Sequence, residues 1–190
     1  MLPDDRINLL AKVARSPRAI QAAEGSANRS ILTLAAASYG SRPTDESTVP
    51  TGFDPFAAAL FESIVEGAYL VATADGVFDE EERLTFERIV TAACGGSVPQ
   101  KHVADLVADL ADQLAEDGLD RRIERLAEGA QRREHGIEVL RIAGLIAHVS
   151  EDVSAVERDV LLKIAAACKL APEEVDAALA EVRASIASPA

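Results

Sequence analysis

Apolar residues return every three or four positions along most of the chain. Beyond position 54 they form five stripes. Phe56, Leu60, Ile64, Ala68 and Val71 share the first, and Val103, Leu106, Val107, Leu110 and Leu114 the second. Val139, Ile142, Ala143 and Ile146 form the third, Val156, Val160, Leu161, Ile164 and Cys168 the fourth, and Val175, Ala178, Leu179, Val182 and Ile186 the last. This spacing puts each set on one face of an amphipathic helix that packs on a shared core. No stretch alternates with period two for long enough to suggest a sheet. The pattern predicts an all-α helical bundle.

Upstream, Asp4 to Glu24 and Arg29 to Tyr39 read as two further helical pieces. Between them and the stripes lies a segment rich in Pro, Gly, Ser and Thr, including Pro43, Pro50 and Gly52. Such composition marks a linker without regular structure. The expected organisation is an N-terminal helical arm at 1–39, a linker at 40–53 and a helical domain at 54–190. The arm either docks on the main body or stays loosely attached.

A shift of 75 residues aligns the chain with itself. Ala68 then falls on Ala143, Leu70 on Leu145, Glu82 on Glu157, Arg83 on Arg158 and Ile89 on Ile164. Each copy reads as helix, short turn, helix. The repeat predicts two helical hairpins related by an approximate two-fold axis.

Composition narrows the function classes. Apolar residues make up 48% of the 190 positions, aromatics only 4%, and Trp is absent, so the core must be built from Ala, Leu, Val and Ile. The net charge is −13. Residues 1–50 hold six basic and five acidic side chains, so the negative surplus falls on the rest. That argues against nucleic acid, whose binding needs cationic side chains to displace phosphate counterions. Attraction to an anionic membrane surface is disfavoured likewise, and cations or basic protein surfaces are the natural partners. No run approaches the ~18 apolar residues of a membrane span. The start of the chain, Met1-Leu2-Pro3-Asp4-Asp5, lacks the basic and apolar regions of a signal peptide. The expectation is a soluble, cytoplasmic protein whose cysteines, Cys94 and Cys168, are small buried thiols.

The turn of the first copy, Ala74 to Glu82, concentrates the chemistry. It holds five carboxylates between Asp75 and Glu82, and no Lys or Arg occurs between Arg42 and Arg83. Two readings are open. In the first, Gly76 ends one helix in a left-handed conformation, Asp79 caps the next, and Glu82 completes a capping box. Glu80 and Glu81 then sit in the first turn, where the helix dipole favours negative charge. Val77 and Phe78 anchor the turn, and Ser154 with Glu157 repeats the box in the second copy. In the second reading Asp75, Asp79 and Glu82, completed by waters, bind a hard cation such as calcium, magnesium or manganese. The spacing is not that of an EF-hand, because Gly76 follows the first Asp directly and Phe78 stands where a ligand is wanted.

Ala-Asp-Gly, two residues, an N-cap residue and a Glu three positions later resembles the motif of the TerB-like family, associated with tellurite resistance. The stretch from Ile142 to Leu179, with its Glu157-Arg158 start and Pro172-Glu173-Glu174 restart, is similar to that family's closing segment. The resemblance covers roughly 54–187 and leaves out the arm. It implies an all-α fold with internal pseudo-symmetry, acidic turns proposed to bind metal, and a metal or oxidant stress context. The second turn departs from the pattern. Ser150 stands in place of Asp and Glu151 in place of Gly, which argues against a second metal site.

Other chemistry is sparse. His102, His135 and His148 have no zinc spacing with one another or with the cysteines, and no nucleophile or phosphate-binding motif is present. Arg121, Arg122, Arg125, Arg132 and Arg133 form a basic cluster interleaved with Glu124, Glu128 and Glu134, which reads as a solvated helix face; the alternative is that this face meets the acidic turn of a neighbouring subunit or partner. The sequence therefore points to a non-enzymatic acidic helical module that binds a divalent cation and acts in tellurite, metal or oxidant stress. The alternative is a metal-free protein interaction or scaffold domain. Protein partners or a homo-oligomer are compatible with either, and no small-molecule substrate is suggested.

Overall fold

The computed structural model describes residues 2–17, 29–43, 52–76, 78–150 and 153–187, with the backbone alone at Ser150. Among these residues there are nine α-helices and no strand. They are α1 (Asp4–Arg15), α2 (Ile31–Gly40), α3 (Pro55–Ala72), α4 (Glu80–Ala93), α5 (Gln100–Asp117), α6 (Leu119–Gly129), α7 (Arg133–Ala147), α8 (Ala155–Ala167) and α9 (Pro172–Ala187). A 3-10 turn, His148–Ser150, follows α7.

The centre of the molecule is the crossing of α3 and α7. Phe61, Ile64 and Leu70 from α3 and Leu140 and Leu145 from α7 are almost fully buried. A Cβ on Gly67 would lie 2.5 Å from Val139 Cγ1, so the absent side chain is what lets the two helices approach this closely. The N-terminal helices belong to the same core. Leu10 and Ala36 are completely buried in it, and Tyr39 stacks on Phe61 with ring centroids 4.7 Å apart.

A buried ion pair on α7 holds those helices in place. The guanidinium of Arg141 grips both oxygens of Glu138, Nε to Oε2 at 2.8 Å and Nη2 to Oε1 at 2.9 Å. Its Nη1 donates to Val13 O at 2.9 Å and its Nη2 to Ala14 O at 2.8 Å. These are two of the last four carbonyls of α1, groups that a helix end leaves without intrahelical donors. Glu138 Oε1 accepts from Leu32 N–H at 3.1 Å, in the first turn of α2. A cation thus meets the negative end of one helix and an anion the positive end of the next. Burial opposes the charge on Arg141, but Glu138 more than offsets it and holds the pKa of the guanidinium above its ordinary value.

Several sequence expectations need correction. The first helix does not run toward Glu24: it ends at Arg15, because Pro17 forces Ser16 into extended backbone, ψ 134°. Positions 18–28 lie outside the described residues. Phe56 does not join the buried stripe of α3 and is 70% exposed, since it sits in the first turn at the mouth of a cleft; Val156, in the first turn of α8, is 49% exposed. Of the expected linker, Gly40 closes α2, positions 41–43 and 52–54 carry no helix or strand, and 44–51 lie outside the described residues. The far end of that segment is pinned. Ser38 Oγ donates to Asp54 O at 2.9 Å and accepts from Asp54 N at 2.7 Å, and the Asp54 side chain caps α3 through Phe56 N at 2.9 Å. Pro55, at the first helical position, fits there because its missing N–H has no intrahelical role.

Among the described residues Pro55–Ala72 is the one helix long and apolar enough to cross a membrane, with a mean hydropathy of 1.3. It carries Glu62 and Glu66, and 67% of it is buried inside this fold, where it serves as the core helix.

Candidate functional site

The acidic turn is built as a rigid connector. At the end of α3, Thr73 Oγ1 donates to Tyr69 O at 3.0 Å. Gly76 adopts φ 80°, in the left-handed region, and its N–H donates to Thr73 O at 3.0 Å. The helix therefore stops at Ala72, before the glycine, and Gly76 shapes the turn itself. Phe78 then packs edge-on against Tyr69 and Phe86, with centroids 5.4 and 6.1 Å away, while Tyr69 and Phe86 meet at 6.2 Å. Val77 lies outside the described residues.

Asp79 and Glu82 close a complete capping box. Asp79 Oδ1 accepts from Glu82 N–H at 2.9 Å, and Glu82 Oε2 accepts from Asp79 N–H at 3.0 Å. Ser154 and Glu157 do the same at the start of α8, at 3.2 and 2.7 Å. The cation reading asked Asp75, Asp79 and Glu82 to converge. Among the described residues no three His, Cys, Asp or Glu side chains come together to hold a metal ion. Asp79 and Glu82 each already accept from a backbone amide, which a cation bound there would have to share or displace. Glu151, in the second turn, lies outside the described residues, as does the side chain of Ser150.

What the two turns do build between them is a groove of about 420 Å³. Its floor is apolar: Phe86 and Ile89 from α4, Ile146 near the end of α7, Val149 from the 3-10 turn, and Phe78. Leu2 and Pro3, ahead of α1, close one end, and Ala72 lies at another edge. Asp79, Glu81, Glu82 and Glu157 stand around it, and no Lys or Arg is among its described lining residues. Next to the lining residues Thr85 and Glu157, the apolar side chains of Leu84 and Val156 are 36% and 49% exposed.

His148 braces this region. Arg183 Nε, which is only a donor, donates to His148 Nε2 at 3.1 Å. Nε2 therefore accepts, and Nδ1–H donates to Gly144 O at 2.7 Å.

A second cleft, about 550 Å³, lies among α2, α3, α5 and α6, and several of its charged side chains are paired. Arg42 pairs with Glu62 at 2.6 Å. Arg122 pairs with Glu66 at 2.6 Å and with Asp117 at 3.1 Å. Burial pushes the Glu66 carboxyl above the usual range despite Arg122. Arg122 feels burial too, but Glu66 and Asp117 outweigh it and raise its pKa. Glu66 is the more buried partner, 7% exposed against 13% for Arg122. Arg122 thus turns inward from the predicted solvated face, whereas Arg121, Arg125 and Arg132 pair locally with Glu124, Glu128 and Glu134.

The thiols offer little reactivity. Burial pushes Cys94 up to about 12 and Cys168 up to about 11, far from the thiolate that reacts or binds metal.

Sequence reasoning found the acidic turn but not the groove, because Leu2, Ile146 and Val149 come from distant segments without a shared motif. It also missed the Glu138–Arg141 pair, whose signal was an i, i+3 charge pair set inside the apolar run from Ile137 to Ile142. Set against known proteins, the chain matches no family model, no curated protein and no solved structure.

Proposed function

We propose that the chain is a non-enzymatic helical interaction module whose working surface is the groove between its two turns. One observation carries the reading: a groove of about 420 Å³ lies between the two turns, and its lining includes the half-buried apolar side chains of Leu2, Ala72, Phe78 and Val149. Apolar side chains lining a concave surface are the usual basis of ligand and partner recognition. The capping boxes support the reading further, because they hold both walls of the groove in fixed geometry before any partner arrives. A cation is not needed to order the acidic turn, since Phe78 and the Asp79–Glu82 box already do so.

The proposal extends to the architecture. The pairs α3–α4 and α7–α8 are read as two hairpins related by an approximate two-fold axis. In support, α3 ends at Ala72 and α7 at Ala147, and α4 and α8 begin at Glu80 and Ala155, each with a capping box. A stress-response context rests on the TerB-like resemblance alone.

A peptide-display selection tests the function. It is run on the intact chain and on Ala72→Phe, which adds bulk at the groove edge from a half-buried position. Peptides retained by the wild type and lost on a variant of unchanged melting midpoint support the reading. Peptides that bind both equally, or no selected peptide at all, contradict it.

A further inference from the structure

We infer that the occupant of this groove is a polypeptide segment with apolar anchor side chains flanked by Lys or Arg. The inference rests on the proposed interaction role of the groove and adds the chemistry of the partner. The apolar surface left open selects apolar anchors: Leu2, Phe78 and Val149 line the groove half-buried, over the buried Phe86, Ile89 and Ile146, and gain free energy when apolar atoms cover them.

The rim selects charge. Asp79, Glu81 and Glu82 stand on one wall, in the first turn of α4, and Glu157 stands on the other, in the first turn of α8. Asp79, Glu82 and Glu157 each hold one carboxylate oxygen on a backbone amide, so their positions are fixed, and all three are charged groups that a partner must meet rather than sweep aside. A neutral apolar peptide would partly desolvate these carboxylates without compensation, which costs free energy. An acidic one would be repelled, by the rim and by the net charge of −13. Basic side chains on both sides of an apolar anchor answer both walls at once. A small amine has one charge and cannot span them. The same charge balance should steer such a partner in, so association should slow as salt rises.

The test reads the composition of peptides that bind the wild type but not Ala72→Phe, then measures their affinity by fluorescence polarisation against two charge reversals. Glu81→Lys changes the groove rim. Glu80→Lys changes the same helix turn by the same charge at a residue that does not line the groove and is 83% exposed. The expected result is enrichment of Lys and Arg beside apolar anchors, and a loss of about two- to fivefold for Glu81→Lys at low salt, the size of exposed ion-pair effects. Glu80→Lys should cost distinctly less. Groove-dependent peptides with no basic excess, or equal losses for the two reversals, overturn the inference while leaving the groove as an interaction surface. A wild type that selects no peptide, yet takes up an apolar dye that Ala72→Phe excludes, is a small-molecule site, and both readings then fall.

Discussion

Replacing Arg141 by methionine should detach the N-terminal helices from the rest of the fold. The substitution keeps an apolar stem of similar length and deletes the guanidinium. Glu138 is then left fully buried, with Leu32 N–H as the partner that remains, and Val13 O and Ala14 O each lose a donor. Removing one member of a buried pair typically costs about 3–5 kcal/mol, because the other charge stays buried without compensation. In a chain of this size each kcal/mol lowers the melting midpoint by about 2–4 °C, so the expected drop is roughly 6–20 °C. The double variant Glu138→Leu/Arg141→Met removes both charges and should recover much of the loss. What remains is the cost of unpaired backbone groups, about 1–3 kcal/mol each where they stay buried. Urea unfolding of the three proteins gives the free energies, and amide hydrogen exchange gives their location. The amides of α1 should lose protection in Arg141→Met before those of α3 do. A loss below about 1 kcal/mol in the single variant, or a double variant as damaged as the single one, would refute the reasoning that this pair is a compensated charge fastening α1 and α2.

Other outcomes follow from separate features. Calcium, magnesium or manganese should leave the melting midpoint unchanged, because Asp79 and Glu82 already serve backbone amides; a rise of several degrees that Asp75→Asn abolishes would instead establish the three-carboxylate site. His135 is held below the ordinary imidazole value of 6.5 chiefly by burial, and its Nδ1 is buried without a hydrogen-bond partner among the described residues. The unfolded chain therefore takes up this proton first, so stability is full above about pH 6.5 and is lost as the pH falls below it. His135→Phe should flatten that part of the curve of urea midpoint against pH, and an unchanged slope would assign the loss elsewhere. Gly67→Ala should destabilise the fold by about 1–3 kcal/mol despite the better helix propensity of Ala, since the new Cβ would lie 2.5 Å from Val139; a gain in thermal midpoint would show that α7 yields easily.

Local physics was readable wherever neighbours in sequence decide the outcome. The helical stripes, the two capping boxes and the inward anchoring of Phe78 follow from spacing and residue type, and the described residues carry them as α-helices without a strand. The stop at Arg15 was also written in the chain, at Ser16-Pro17, and was overlooked because the apolar period runs past it. Other features depend on long-range approach. Arg122 looked like one arginine among five on a wet face until α6 packed on α3 and set it against Glu66. Phe56 matched the period of its stripe, but it stands in the first turn of α3 and is 70% exposed. The candidate site divides the same way. Its acidic rim stands in consecutive residues, while its floor is assembled from α4, α7 and the 3-10 turn and leaves no pattern in the sequence.

The most direct test of the central claim is amide hydrogen exchange on the wild-type chain with and without a peptide taken from the selection. The account predicts added protection where the groove is lined, around Phe78 to Ile89 and Ile146 to Val149, and none in α5 or α6. Protection confined to the polar cleft among α2, α3, α5 and α6, or no change at the turns under saturating peptide, would contradict it.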